Sequence, residues 1–286
     1  LLGPSAARQA GLLYLEAWMR LILSDIDRTI LPYGMQSVPK RTREAMHEAV
    51  ERGCAVGPCT GRSLAWASIL FDGDDACTST CIATNGLQVY HAGEMVLEKT
   101  IPAECVRRMA DVVSGIEHAG LVYFDDAQPL LCAGTAEDLT VAFPRYGKIC
   151  KPAGLPTHDV VKVNAFVAGD AERTYELARL LSAELPELDF DVPQVGFTNI
   201  MPAGWNKGAA ALYLRDYLGV APEDVFVFGD AENDLTMLTA VENSVAVANA
   251  TPAAAAAARW HIGACEDLAV ADAISALARG EFPFER

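Results

Sequence analysis

At 286 residues the chain is longer than a single small module, so one large or two smaller domains are expected. With 51% hydrophobic and 21% charged residues it lies outside the composition of disordered chains. Its 22 basic residues face 38 acidic ones, a formal charge of −16, the wrong sign for gripping a phosphate backbone; nucleic acid is therefore excluded as the expected partner.

Residues 1–20 are set aside as an N-terminal extension or remnant, because residues 1–18 carry no initiating Met and Glu16 breaks their apolar run. Leu21–Ser24 is a short apolar run leading into Asp25 and Asp27, the form of a buried parallel strand whose polar residues emerge at its carboxyl end. Residues 39–52 read as a helix, with Ala45, Met46, Ala49 and Val50 at helical spacing and Gly53 as the stop. Apolar runs follow at 54–58 and 81–84, and the alternation of strand and helix is that of a doubly wound, Rossmann-like α/β sheet. From residue 87 the grammar changes. A hairpin around Ala92 and Gly93, helices at 103–116 and 171–185, and strands at 121–124, 130–132 and 160–167 describe an inserted α+β unit. The first pattern returns with helices at 205–218 and 235–241 and strands at 225–228 and 244–248, and Thr251-Pro252 caps the alanine run as an ordinary helix. The expected division is thus 21–86 and 191–286 for the α/β core and 87–190 for the insertion.

Eight cysteines lack the paired spacing of a zinc site or the density of a disulfide scaffold, and are read as buried thiols of a cytoplasmic protein. No run reaches the ~18 consecutive apolar residues of a membrane span. No histidine has a metal-ligand partner at a recognisable spacing.

Four segments fall at the carboxyl ends of predicted strands or at a helix start: Asp25-Ile26-Asp27-Arg28-Thr29, Cys59-Thr60-Gly61-Arg62, Trp205-Asn206-Lys207-Gly208 and Gly229-Asp230-Ala231-Glu232-Asn233-Asp234. Residues i and i+2 of an extended segment face the same side, so Asp25 and Asp27 can address one reacting group. Adding Asp230 and Asp234 gathers four carboxylates, which repel one another unless a hard divalent ion such as Mg²⁺ lies among them. Thr60 offers a hydroxyl, and a helix beginning near Gly61 offers N–H groups to the same anion. Lys207 adds a compact positive charge. The set describes phosphoryl transfer with a carboxylate nucleophile.

In these motifs, in Thr84-Asn85-Gly86, in the stretch from Phe228 to Leu238 and in Asn249-Ala250, the chain resembles the haloacid dehalogenase (HAD) superfamily of phosphatases, in its Cof-like, type IIB capped branch. The resemblance implies an α/β core with an α+β cap domain that selects the leaving group. It implies Asp25 as nucleophile, Asp27 as general acid and base, and Thr60 and Lys207 as holders of the phosphoryl group. Mg²⁺ would be bound by Asp25, the backbone carbonyl of Asp27 and Asp230. Asp234 is counted with this metal set and would sit close behind, orienting metal-bound water or Lys207. Gly61, Arg62, Asn85 and Asn233 complete the expected substrate-binding set. The implied activity is Mg²⁺-dependent hydrolysis of small phosphate monoesters, sugar phosphates first, through an aspartyl-phosphate, in a monomer or weak homodimer. A phosphomutase, and a non-catalytic binding module that keeps the fold, are the alternatives.

One residue departs from that pattern: Arg28 stands where the family usually has Gly, and is read either as a substrate or cap contact or as a cation turned to solvent or paired with a carboxylate. In the inserted unit Arg145, Lys148 and Lys151 form a basic run read as a solvated loop, with contact to a second anionic group of the substrate as the sharper alternative.

Overall fold

The computed structural model describes residues 19–125 and 127–284, so most of the N-terminal stretch set aside above lies outside the described residues. Arg20, assigned to that extension, belongs to the folded core: it is buried, and its Nη1 donates to the Leu277 carbonyl at 2.6 Å.

In chain order the strands are β1 (Leu21–Ser24), β2 (Ala55–Pro58), β3 (Cys81–Ala83), β4 (Gln88–His91), β5 (Glu94–Glu98), β6 (Ala119–Asp125) and β7 (Gln128–Ala133). They continue with β8 (Lys151–Pro152), β9 (Val163–Val167), β10 (Leu188–Gln194), β11 (Phe197–Pro202), β12 (Val225–Gly229), β13 (Asn243–Val247) and β14 (Trp260–Ile262). Strands β14-β13-β12-β1-β2 form a five-stranded parallel sheet. Alternation along each strand feeds two layers. Ile22, Phe226 and Phe228 pack with the helices Lys40–Glu51 and Ala269–Ala278, while Leu21, Leu23, Val225 and Val227 pack with Lys207–Leu218 and Leu235–Ala240 on the other face. Thr251 caps the alanine helix Pro252–Ala257 by accepting from the Ala254 N–H.

The second large sheet, β10-β11-β9-β6-β7-β8, has a different grammar: all its pairings are antiparallel except β7 with β8. The helices Ala103–Ser114 and Ala171–Glu184 cover one face. The boundaries of the insertion move from those expected at 87 and 190. The hairpin β4–β5 ladders onto β3, and its Val89 and Leu97 pack into the α/β core. The Ile101–Val160 bridge opens the inserted unit, and β11 carries it on to Pro202. β3 lies beside the end of β2, joined by the Cys59–Ile82 bridge and by Thr60 N–H to the Ile82 carbonyl at 2.8 Å, but its ladder is to the hairpin, not to the five-stranded sheet.

Candidate active site

The carboxyl ends of β1, β2 and β12 meet the start of Lys207–Leu218 at one place. Asp25 continues the β1 ladder by donating its N–H to the Phe228 carbonyl at 2.9 Å, which fixes its carboxylate at the rim, 5% exposed. Asn206 caps the helix, its Oδ1 accepting from the Ala209 N–H at 3.0 Å, and so sets Lys207 as the first helical residue. Lys207 reaches Asp25 from below the cavity floor, donating to Asp25 Oδ1 at 2.6 Å and to Asp234 Oδ1 at 2.7 Å while 1% exposed. Burial alone would lower the ammonium's pKa, but Asp234 and Asp25 outweigh it and hold it above the usual lysine value.

Asp234 lies close behind Asp25 and Asp230, in contact with Lys207. It is fully buried, its Oδ1 accepts from Lys207, and its Oδ2 accepts from the N–H groups of Asp230 (3.0 Å) and Ala231 (3.3 Å). Both oxygens are therefore engaged in closing the loop after β12 and aiming Lys207. Gly229 permits this closure, because a Cβ there would lie 2.7 Å from the Asp234 Cβ.

Asp230 faces the cavity, its Oδ1 accepting from the Thr29 hydroxyl at 3.0 Å. Burial, reinforced by the Asp234 charge, pushes it up to about 6. Burial likewise pushes Asp25 well above the carboxylate range, opposed by Lys207 and reinforced by Asp234 and Asp27. Carboxylate oxygens of Asp25, Asp230 and Asp234 all lie within 4.8 Å of one another. One ammonium among three buried carboxylates leaves negative charge uncompensated, so the donor set fits a hard divalent cation.

Asp27 projects half-exposed into the cavity, and Arg62 donates to both its oxygens, at 2.9 and 2.6 Å. Arg28 adopts φ +62°, which accounts for the Gly usual at that position; an L side chain is strained there. The turn is held by Arg28 N–H to the Leu31 carbonyl (2.9 Å) and by Asn249 Nδ2 to the Arg28 carbonyl (2.8 Å). The Arg28 side chain lines the cavity, and its charge offsets part of the rise at Asp230.

The helix expected near Gly61 begins only at Leu64, so the backbone from Thr60 to Ser63 is loop. Its shape is imposed from beneath. Asn85 and Thr84 donate their N–H groups to the Thr60 and Arg62 carbonyls, both at 2.9 Å, through a left-handed hook in which Thr84, Asn85 and Gly86 all have positive φ. Asn85 Oδ1 is buried, has no hydrogen-bond partner and belongs to a residue lining the cavity.

The cavity above this floor has a volume of about 540 Å³ and lies between the α/β core and the inserted unit. Asp25, Asp27, Arg28, Thr60, Gly61, Arg62, Asn85, Asp230 and Asn233 of the expected set line it; Lys207 and Asp234 stand behind its wall. Sequence reasoning passed over Thr29, although it closes the first motif. It also missed Lys162, Trp66 and the aromatic wall of Phe124, Tyr146 and Phe197, whose convergence is purely tertiary. Of the basic run, Arg145 alone reaches the cavity, and Lys148 and Lys151 are exposed away from it. Away from the site, His47 does have neighbours: Asp74 Oδ2 lies 2.7 Å from its Nε2, with Cys77 beside them, a grouping hidden by 27 residues of separation. Burial and Asp74 push the Cys77 thiol up to about 12, so it is not a thiolate.

A family model described as haloacid dehalogenase-like hydrolase matches residues 22–274. The HMP-PP phosphatase of Cronobacter sakazakii is 29% identical over 242 residues, covering 82% of this chain and 85% of the relative. A curated relative from Haemophilus influenzae is 38% identical over 84 residues, 29% of this chain and only 32% of its own length. Among solved structures, a sugar phosphatase of HAD subclass IIB superposes with a TM-score of 0.75 at 20% identity, covering 89% of this chain and 97% of that one, which establishes a shared fold.

Proposed function

Because the chain belongs to the haloacid dehalogenase-like hydrolase family, we propose that it is a phosphatase that hydrolyses small phosphate monoesters through an aspartyl-phosphate on Asp25, with Mg²⁺ as its metal. The observation that carries this reading is the pinning of Lys207 between Asp25 and Asp234, with Asp230 alongside and Asp27 projecting into the cavity.

In the first half-reaction Arg62 releases one Asp27 oxygen, which then carries a proton; an Asp25 oxygen bonds to phosphorus as the ester P–O bond breaks, and the Asp27 carboxyl gives that proton to the leaving oxygen. In the second, water attacks the same phosphorus, Asp27 takes its proton, and inorganic phosphate departs with Asp25 regenerated. Thr60 and the loop N–H groups address the phosphoryl oxygens, while Lys207 beneath Asp25 offsets negative charge and orients the nucleophile. Asp25, Asp230 and the Asp27 backbone carbonyl would hold the metal, which supplies charge neutralisation at the phosphoryl group when bound. The inserted unit acts as the cap that selects the leaving group. The eight cysteines are all free, which supports placing the enzyme in a reducing cytoplasm.

Release of inorganic phosphate from a broad panel of monoesters with Mg²⁺ tests the reading. Turnover of several members is expected without any bisphosphate activator. Absence of turnover across the panel would overturn it, and turnover strictly dependent on such an activator would make the protein a mutase.

A further inference from the structure

We propose that the cap side of the cavity is a subsite for a second anionic group on the leaving part of the substrate, held by Arg145 and Lys162; this rests on the phosphatase reading of the same site. The inserted unit, residues 101–202, carries 15 acidic and 8 basic residues, yet the part of it that lines the cavity presents Arg145 and Lys162 and, among the described residues, no carboxylate. That is the reverse of the unit's own charge balance.

Neither cation has its charge met by a carboxylate. Lys162 Nζ donates to the Gly61 carbonyl at 3.1 Å and rests near the Tyr146 hydroxyl at 3.4 Å, and it lies 4.8 Å from the Phe124 ring centroid. The Arg145 guanidinium carbon lies over the Trp66 indole, 4.1 Å from its centroid. Among the described residues, no carboxylate lies within ion-pair distance of either. Arg62, the nearby core cation, is already spent on both oxygens of Asp27. Burial lowers the Arg145 guanidinium's pKa and the Arg62 charge adds to the fall, opposed more weakly by Tyr146 and Asp27.

Two partly desolvated cations resting on neutral acceptors and aromatic faces retain full capacity for an anion. The phosphoryl group being transferred already has Lys207, Thr60 and the metal set on the core side, so it does not account for them. Lys162 rests on Gly61, next to Thr60, so the two anion sites are adjacent and fit one small metabolite, not an extended chain. Phosphoryl and carboxylate groups share the required chemistry.

Two matched pairs separate these sources: fructose 1,6-bisphosphate against fructose 6-phosphate, and 3-phosphoglycerate against glycerol 3-phosphate, each followed by phosphate release from the full chain with Mg²⁺. At least one doubly anionic member is expected to exceed its partner in kcat/KM by tenfold or more, and which pair responds identifies the group. Arg145→Ala and Lys162→Met are each expected to reduce that ratio by roughly tenfold to a hundredfold, mostly through KM. Lys148→Ala, on the same loop but away from the cavity, leaves it unchanged. Ratios near one in both pairs would overturn the subsite, as would variants that lower both members equally, the signature of cations that merely seal cap to core. Failure of all four esters and of p-nitrophenyl phosphate would instead overturn the phosphatase reading itself.

Discussion

Substituting Asp234 by Asn tests whether this residue acts by holding Lys207 and the loop after β12. The carboxylate accepts from Lys207 on one oxygen and from two backbone N–H groups on the other. An amide cannot satisfy both sides, since its NH₂ must face either an ammonium or backbone donors. At 2.7 Å and an effective dielectric of about 20, the lost attraction is on the order of 6 kcal/mol gross. Relief from burying a full charge offsets much of it, and Lys207 keeps Asp25 at 2.6 Å. The net cost is therefore about 2–3 kcal/mol of folding stability, below the 3–5 kcal/mol typical when a buried charge loses its sole partner. Loss of aim at Lys207 is expected to reduce kcat by about a hundredfold. Urea unfolding with Mg²⁺ present gives the first quantity, and steady-state hydrolysis of p-nitrophenyl phosphate gives the second. A variant within threefold of the parent in kcat and within about 0.5 kcal/mol in stability would refute the account.

Replacement of Asp25 by Asn is expected to reduce turnover by at least about a thousandfold with the fold intact, and chelation by EDTA should act likewise; a substantially active D25N protein would refute the assigned nucleophile. Arg28→Gly relieves the φ of +62° and is expected to raise stability by about 0.5–1 kcal/mol, or roughly 1–3 °C in Tm; a lower Tm would show that the Arg28 side chain itself supports the turn. The Asp230 carboxyl, raised from 3.8 to about 6, binds a proton more tightly folded than unfolded, so in EDTA its contribution to stability falls as pH rises from about 4 to 6. Mg²⁺ should therefore raise Tm more at pH 7.5 than at pH 5, and an equal or reversed increment would count against the metal assignment.

The convergence of the candidate site was legible because its residues sit in short contiguous strings at strand ends, where local pattern and three-dimensional position coincide. Asp25, Asp27, Thr60 and Asp230 needed only the strand boundaries to be placed. Asp234 was harder: its engagement on both oxygens depends on a loop closing back across four residues. The insertion boundaries were obscured by particular residues. β10 carries Pro193 and a register shift between Asp191 and Gln194 that breaks the period of two. The hairpin β4–β5 follows the change of grammar, and only packing of Val89 and Leu97 reveals its allegiance to the core. Lys162 and Trp66 carry no local signal, since they acquire meaning only when two units 100 residues apart in sequence meet.

Part of that meeting falls on one stretch of chain. Lys162 holds the Gly61 carbonyl, Arg145 covers Trp66, and the Trp66 indole N–H reaches the Ala127 carbonyl of the cap at 3.2 Å. All three cap contacts thus land within six residues of Thr60, on the segment that the left-handed hook at Thr84–Gly86 braces from below. On the proposed function, an inserted unit lifting to let product out would pull on the Thr60–Ser63 loop, and the hook would brace that loop against the pull. Product exit and loop geometry are thereby mechanically linked, so solvent viscosity and substitutions in the hook should act on the same step of the catalytic cycle.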